Sequence, residues 1–293
     1  MSMIRSTYHG RLSALAAEVS RNGATLARAQ LEASSGLRYF SPADDPGMVS
    51  RIHAMQAEIE EQSVYQDSAS WATGIQATAE EVLSHISDLL TRTRELATQM
   101  SSEEKNPQQV IDAAQEAQGL YDQMVSLANS TFGGRFVFAG NAYDTQPFST
   151  VGVYGGDTGQ PSVEVGQGLR ASTGFDGSAM LQGTTDIFAS VASLVTALGT
   201  GVAANVALTL DPLKDALQQV TGSRTEVGTQ LALAEDAAQV SESLEVELKS
   251  QFTNFVEVDQ AKSYMRMAQL QTTYETTLQV TASSRYNLLF ERL

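Results

Sequence analysis

The chain has 293 residues, enough for two or three domains, and its 34 acidic against 18 basic residues give a net charge of −16. That charge opposes binding to nucleic acid or anionic lipid, and the absence of cysteine excludes disulfides and thiolate metal sites. No apolar run is long enough for a membrane span or a Sec signal, so any export needs another route.

The first 40 residues depart from the acidic average. Arg5, Arg11, Arg21, Arg28 and Arg38 stand against only Glu18 and Glu32, a local charge of +3 (5 − 2). An Arg-rich, acid-poor start fits the composition of a mitochondrial transit peptide, but its helical seam runs on into the body of the protein. Leu12, Leu15, Val19, Asn22, Leu26, Ala29 and Ala33 follow 3,4 spacing, which marks a helix that needs a partner helix. Ala29, Ala33 and the polar Asn22 make the stripe too thin to stand alone in water. Asn22 reads either as a buried residue that fixes register or as a solvent-facing one. The helix is predicted to end near Ser34, Ser35 and Gly36, where glycine supplies the left-handed conformation that closes a helix. After a short extended piece, Asp45 reads as an N-cap with Pro46 at the first helical position.

From there Met48, Ile52, Met55 and Ile59 continue the spacing. A weaker stretch follows at 62–73, and the seam resumes one position out of phase at Ile75, Ala79, Val82, Ile86, Leu89, Thr93, Leu96 and Met100, as in a stutter. A helix over 46–100 would reach on the order of 80 Å, a rod and not a globule. Pro107 interrupts the pattern after a polar turn. A second helix with Val110, Ala114, Ala117, Leu120, Met124 and Leu127 is predicted to fold back as an antiparallel hairpin.

At Gly133 and Gly134 the period changes. Residues 135–140 are aromatic and β-branched, a predicted strand, and 14 of the 22 glycines lie between 133 and 201. Alternation at Ser162, Val163, Glu164 and Val165 completes the picture of a small β-rich insert. Helical spacing returns at 187–198 and continues through Leu217, Val220, Val227, Leu231, Ala234, Ala238 and Leu248. Asp211 and Pro212 either cap a new helix or kink a longer one. The last segment sets Tyr264, Met267, Leu270, Tyr274, Leu278, Leu288 and Leu289 on a broad helical face. Both ends of the chain therefore carry partner-seeking helices, and they are expected to pair with each other.

Two runs bear a family resemblance. Ser34, Ser35, Gly36, Leu37 and Arg38, followed by Pro42, Ala43, Asp44, Asp45 and Pro46, resemble the N-terminal signature shared by bacterial flagellins and the hook-associated junction proteins. The Asp-Asp-Pro-Gly continuation, the run from Leu127 through Gly134, Arg135, Phe136 and Val137 to Asn141, the single Trp71, Arg224 to Gly228 and the C-terminal pattern around Tyr274 and Leu278 resemble the junction proteins more than the flagellins. The match is weakest over 141–187. The resemblance implies a mainly α, elongated, flagellin-like helical rod with paired N- and C-terminal coiled-coil helices, a β-hairpin and a small β-rich insert. It implies a terminal coiled-coil domain of 1–40 with 255–293, a helical rod domain of 41–140 with 188–254, and an insert of 141–187. It also implies a structural part of the flagellum, exported through the flagellar type III channel, whose partners are other copies in a ring, hook-associated protein 1, flagellin and an export chaperone. The assembly surface would be Leu12, Leu15, Val19, Leu26, Tyr264, Met267, Leu270, Tyr274, Leu278, Leu288 and Leu289, with Ser35, Gly36, Asp44, Asp45 and Pro46 as hinge and cap. A flagellin proper and a coiled-coil adapter outside any flagellum are the alternatives.

Catalytic readings are thin. His9, His53 and His85 lie far apart with no acidic or thiol ligand at metal spacing. Asp44 and Asp45 sit between prolines before a helix, which favours capping over acid–base work. Gly166 and Gly168 lack the third glycine and the helix of a dinucleotide loop. Asn129, Ser130 and Thr131 match the glycosylation sequon at a helix end, and Tyr264, Tyr274 and Tyr286 suit packing better than a binding cage. No metal, cofactor or catalytic constellation is expected.

Overall fold

The computed structural model describes residues 2–38, 46–101 and 106–290, and the side chains of these except 2–9, 11–12 and 285–290. Contacts divide the chain into two compact units, Met1–Ile59 with Val246–Leu293 and Glu60–Glu245. The fold is mainly helical with two small antiparallel hairpins, as the sequence predicts.

Helix α1 (Ser2–Ser35) stops where Gly36 takes φ +71, and its N–H reaches back to the Glu32 carbonyl at 3.0 Å. Helix α2 (Pro46–Met100) starts at proline and runs unbroken through the out-of-phase stretch. Small side chains explain why that stretch looks weak in sequence yet stays helical. Ala69 and Ala72 of α2 are buried in one cluster with Ala234 and Ala237 of α7 (Leu210–Val256). Asp211 and Pro212 lie in the first turn of α7, so they open a new helix instead of kinking a longer one.

Helix α3 (Pro107–Ala128) opens with a capping box in which Asn106 accepts from the Gln108 N–H and the Gln109 side chain accepts from the Asn106 N–H. Arg92 of α2 reaches Glu116 of α3 at 2.7 Å, and Arg224 of α7 reaches Glu80 of α2 at 2.6 Å. Both pairs are exposed enough to set alignment more than stability. The core of this second unit is continuous. Leu83, Ile86 and Leu90 of α2, Met124 of α3, Leu194 and Leu198 of α5 (Ile187–Thr200) and Val220 of α7 all share it. The remaining helices are the short α4 (Gly177–Gln182) and α6 (Ala203–Ala207), and α8 (Gln260–Phe290).

The predicted strand over 135–140 is shorter than its pattern suggests. Strands β1 (Thr131–Phe132) and β2 (Arg135–Phe136) form a two-residue hairpin around Gly133 and Gly134, whose positive φ values of +57 and +81 suit the tight turn. Phe132 packs edge-on against Trp71 at 5.2 Å, and a Cβ at position 74 would meet the Phe132 ring at 2.3 Å, so a side chain there would push the ring out of its place. Val137, Phe138 and Ala139 leave the ladder because their side chains enter the core. Phe148 lies 5.1 Å from Phe188 of α5, and Asn129 bonds both the N–H and the carbonyl of Phe148. The segment thus shares the core of the helices. A second hairpin, β3 (Ser162–Gly166) with β4 (Leu169–Ser172), adds Val165 and Ala171 to the alanine cluster, and buried Gln76 donates to the Ser172 carbonyl at 2.9 Å. Burial pushes the Tyr154 phenol up to about 12, and its oxygen lies within hydrogen-bond reach of the Phe138 and Asp157 carbonyls.

Candidate assembly interface

Helices α1 and α8 pair in antiparallel sense within the first unit. Three contacts fix the direction. Asn22 Nδ2 donates to Thr277 Oγ1 at 3.0 Å, the hydrogen-bearing face of Gly23 lies against the Tyr274 ring, and Gly36 approaches Gln260. Beyond the ends, Leu37 bridges Glu257 as in an antiparallel ladder, with the Arg38 N–H on the Val256 carbonyl and the Val258 N–H on the Gly36 carbonyl. This clamp ties the exit of α1 to the entry of α8. Asp259 caps α8 through the Lys262 N–H at 3.2 Å.

On α1 the face turned inward is Leu15, Val19, Asn22, Leu26, Ala29 and Ala33, the 4,3 repeat that the sequence marks. Leu26, Ala29 and Ala33 are buried, and Asn22 is half-buried across from Thr277, so its polar group serves the pair and does not face solvent. On α8 the inward repeat is Ser263, Met267, Leu270, Tyr274, Thr277, Thr281 and Ser284. Tyr264 and Leu278 stand one residue out of this register and are 52% and 41% exposed. Choosing the most apolar residues hides that register. The heptad phase set by Met267, Leu270 and Tyr274 would have revealed it, because it leads to Ser263 and Thr277. The side chains of Leu12, Leu288, Leu289 and Tyr286 lie outside the described residues.

Of the hinge residues, Ser35 donates to the Leu31 carbonyl at 2.7 Å and accepts from the Leu37 N–H, and Gly36 holds the left-handed turn. Pro46 is the first residue of α2. Asp44 and Asp45 lie outside the described residues. Charge also separates the units. Residues 60–245 carry 7 basic and 24 acidic residues, a net −17 (7 − 24), and the rest of the chain carries 11 and 10, a net +1.

The other candidates take structural places. Asn129 closes α3 and is held by the Val125 carbonyl and by Phe148. Gly168 forms the β3–β4 turn at φ +74. His85 is exposed, 3.8 Å from Glu81. Among the described residues no group of three His, Cys, Asp or Glu side chains is placed to hold a metal ion, and no helix is long and apolar enough to cross a membrane.

The family description "Bacterial flagellin N-terminal helical region" matches residues 8–143. The chain is 27% identical over 286 residues to flagellar hook-associated protein 3 of Salmonella typhimurium, covering 87% of this chain and 90% of that one. It is 28% identical over 285 residues, at the same coverage, to the protein of that name from Escherichia coli K12. In structure it is similar to FlgL of Bacillus cereus, with a TM-score of 0.62 and 22% identity over 68% of this chain and 99% of that one. The flagellar junction protein FlgL of Legionella pneumophila gives a TM-score of 0.58 and 16% identity, over 70% and 99%. Along most of its length the chain is thus similar in sequence to proteins named flagellar hook-associated protein 3, its residues 8–143 match the flagellin N-terminal helical region, and its fold is that of the solved FlgL structures.

Proposed function

We propose that this chain is a structural component of the bacterial flagellum that joins the hook to the filament, standing between hook-associated protein 1 and flagellin as a ring of copies. The observation that carries this reading is the division of labour on α1 and α8. The inner seam mixes a few large apolar residues with small and polar ones, and among its described side chains only Leu26, Ala29, Ala33 and Ser263 are buried, while Leu31, Tyr264, Met265, Leu278 and Val280 remain exposed on the outside. A pair so thinly closed gains most of its stability when neighbours cover its outer face. In this reading 1–40 with 255–293 is the assembling domain, 41–140 with 188–254 its helical support and 141–187 the insert. The same thin seam and the lack of cysteine suit passage as an extended chain through the flagellar type III channel, held beforehand by an export chaperone.

Purified protein added to hooks that carry only hook-associated protein 1 tests the reading. A short bound zone that then permits flagellin to grow is the expected result. Growth into a long polymer would identify a flagellin, and a stable soluble oligomer that ignores the hook would identify an adapter.

A further inference from the structure

Two neighbouring grooves on the α1/α8 pair share Glu32 and Arg266 in their lining. Arg21 and Arg28 extend the first and Arg38 and Lys262 the second, so five basic groups outnumber the carboxylates of Glu32 and Asp259 around a floor made partly of Ala24, Thr25 and Ala29, with Arg21 held by Glu18 and Lys262 by Asp259. This local excess of positive charge stands against a second unit that carries −17. Helix α7 offers a matching ridge. Leu233, Val240 and Leu244 are 42%, 58% and 47% exposed, and their 7,4 spacing sets them on one side of the helix. Asp236 and Glu247, each three residues after a member of that stripe, lie on the same side.

We infer that the basic α1/α8 groove of one copy receives the acidic-edged α7 ridge of a second copy. The small floor accepts the apolar stripe, and the arginines meet the flanking carboxylates, which is the arrangement of an apolar centre with a charged rim. The contact joins unlike surfaces, so each copy keeps a free groove and a free ridge, and repetition builds a ring or a helical row. Rim charges of this kind steer encounter and make assembly sensitive to salt. The inference rests on the reading that copies assemble with one another, and it adds which surfaces meet.

The cysteine-free full-length chain permits a direct test. Thr25→Cys and Val240→Cys variants are mixed with a short thiol crosslinker, alone and together, with sedimentation recording association. Crosslinked dimer is expected in the mixture and not from either variant alone. Adding Arg21→Glu and Arg28→Glu to the Thr25→Cys chain should lower the yield about tenfold, and Asp236→Lys with Glu247→Lys in the Val240→Cys chain should restore it. Should the reversed chain lose helical signal, Arg21→Gln with Arg28→Gln takes its place, with a smaller loss that no longer varies with salt. Copies that associate without a 25–240 crosslink, or whose yield ignores the reversals, overturn the inference and leave the junction reading standing. Wild-type chains that associate neither in solution nor on hooks overturn both.

Discussion

The two units close their interiors with different materials. The second fills its core with Leu83, Ile86, Leu90, Phe148 and Phe188, all fully buried. The first, among the described side chains of α1 and α8, buries Leu26, Ala29, Ala33 and Ser263, with Thr277 and Asn22 half-buried between the helices. Apolar area removed from water is what holds a domain together, so the second unit is self-sufficient where the first depends on cover from outside. The difference is suited to a part that must stay pliable before assembly and become rigid after it.

Truncating a core aromatic is the strongest way to probe that contrast. Phe188→Ala removes a ring that packs 5.1 Å from Phe148 and 6.2 Å from Tyr121, and it should cost about 3–5 kcal/mol in urea unfolding followed by circular dichroism. Leu26→Ala, in a seam whose other buried members are Ala29, Ala33 and Ser263, should cost about 2 kcal/mol, the low end for a leucine. Equal losses would mean that the terminal pair is as well closed as the core.

Charge insertion separates the inner face of the pair from the outer one. Leu26→Asp places a carboxylate in the seam and should destabilise the α1/α8 pair of the monomer by about 2–3 kcal/mol. Leu278→Asp, on the exposed side, should leave monomer melting within about 0.5 kcal/mol of the parent yet abolish motility if, as proposed, neighbours cover the outer face. Full motility with Leu278→Asp would remove that face from the assembly surface.

A smaller effect is expected where the second hairpin meets α2. Gln76→Leu removes the donor to the Ser172 carbonyl and should cost about 1–2 kcal/mol, with faster amide exchange confined to β3 and β4. If exchange rises across the whole second unit instead, the hairpin is part of the core's cooperative unfolding.

What could be read from the sequence followed the size of the side chains. Long apolar repeats locate α2, α3, α5 and the α1 seam, and Gly133 with Gly134 mark where the helical period ends, while the hairpin itself comes from the family resemblance. The strand is shorter than the 135–140 pattern suggests because Val137, Phe138 and Ala139 are apolar for the sake of the core and not of a ladder. The α8 register is hidden in the sequence for the opposite reason. Ser263, Thr277 and Thr281 occupy inward positions that hydrophobicity alone passes over, while Tyr264 and Leu278 attract notice from outside. The joint between the helices was equally silent, since the clamp of Leu37 with Glu257 is made by backbone groups.

Asn22 offers the finest test of the contrast. Its bond to Thr277 satisfies two polar groups inside the pair, but a polar residue at a seam position fixes register at a cost in stability. Replacing it with leucine adds apolar contact with α8 while leaving the Thr277 hydroxyl its own bond to the Thr273 carbonyl. Asn22→Leu should therefore stabilise the isolated α1/α8 pair by up to about 1 kcal/mol, seen as slower amide exchange in both helices. It should also weaken selection of one register, so the variant is expected to assemble less efficiently on hooks although its monomer is more stable. Loss of stability in the monomer would reverse the argument, because the hydrogen bond and not the apolar stripe would then be the main tie between the chain's two ends.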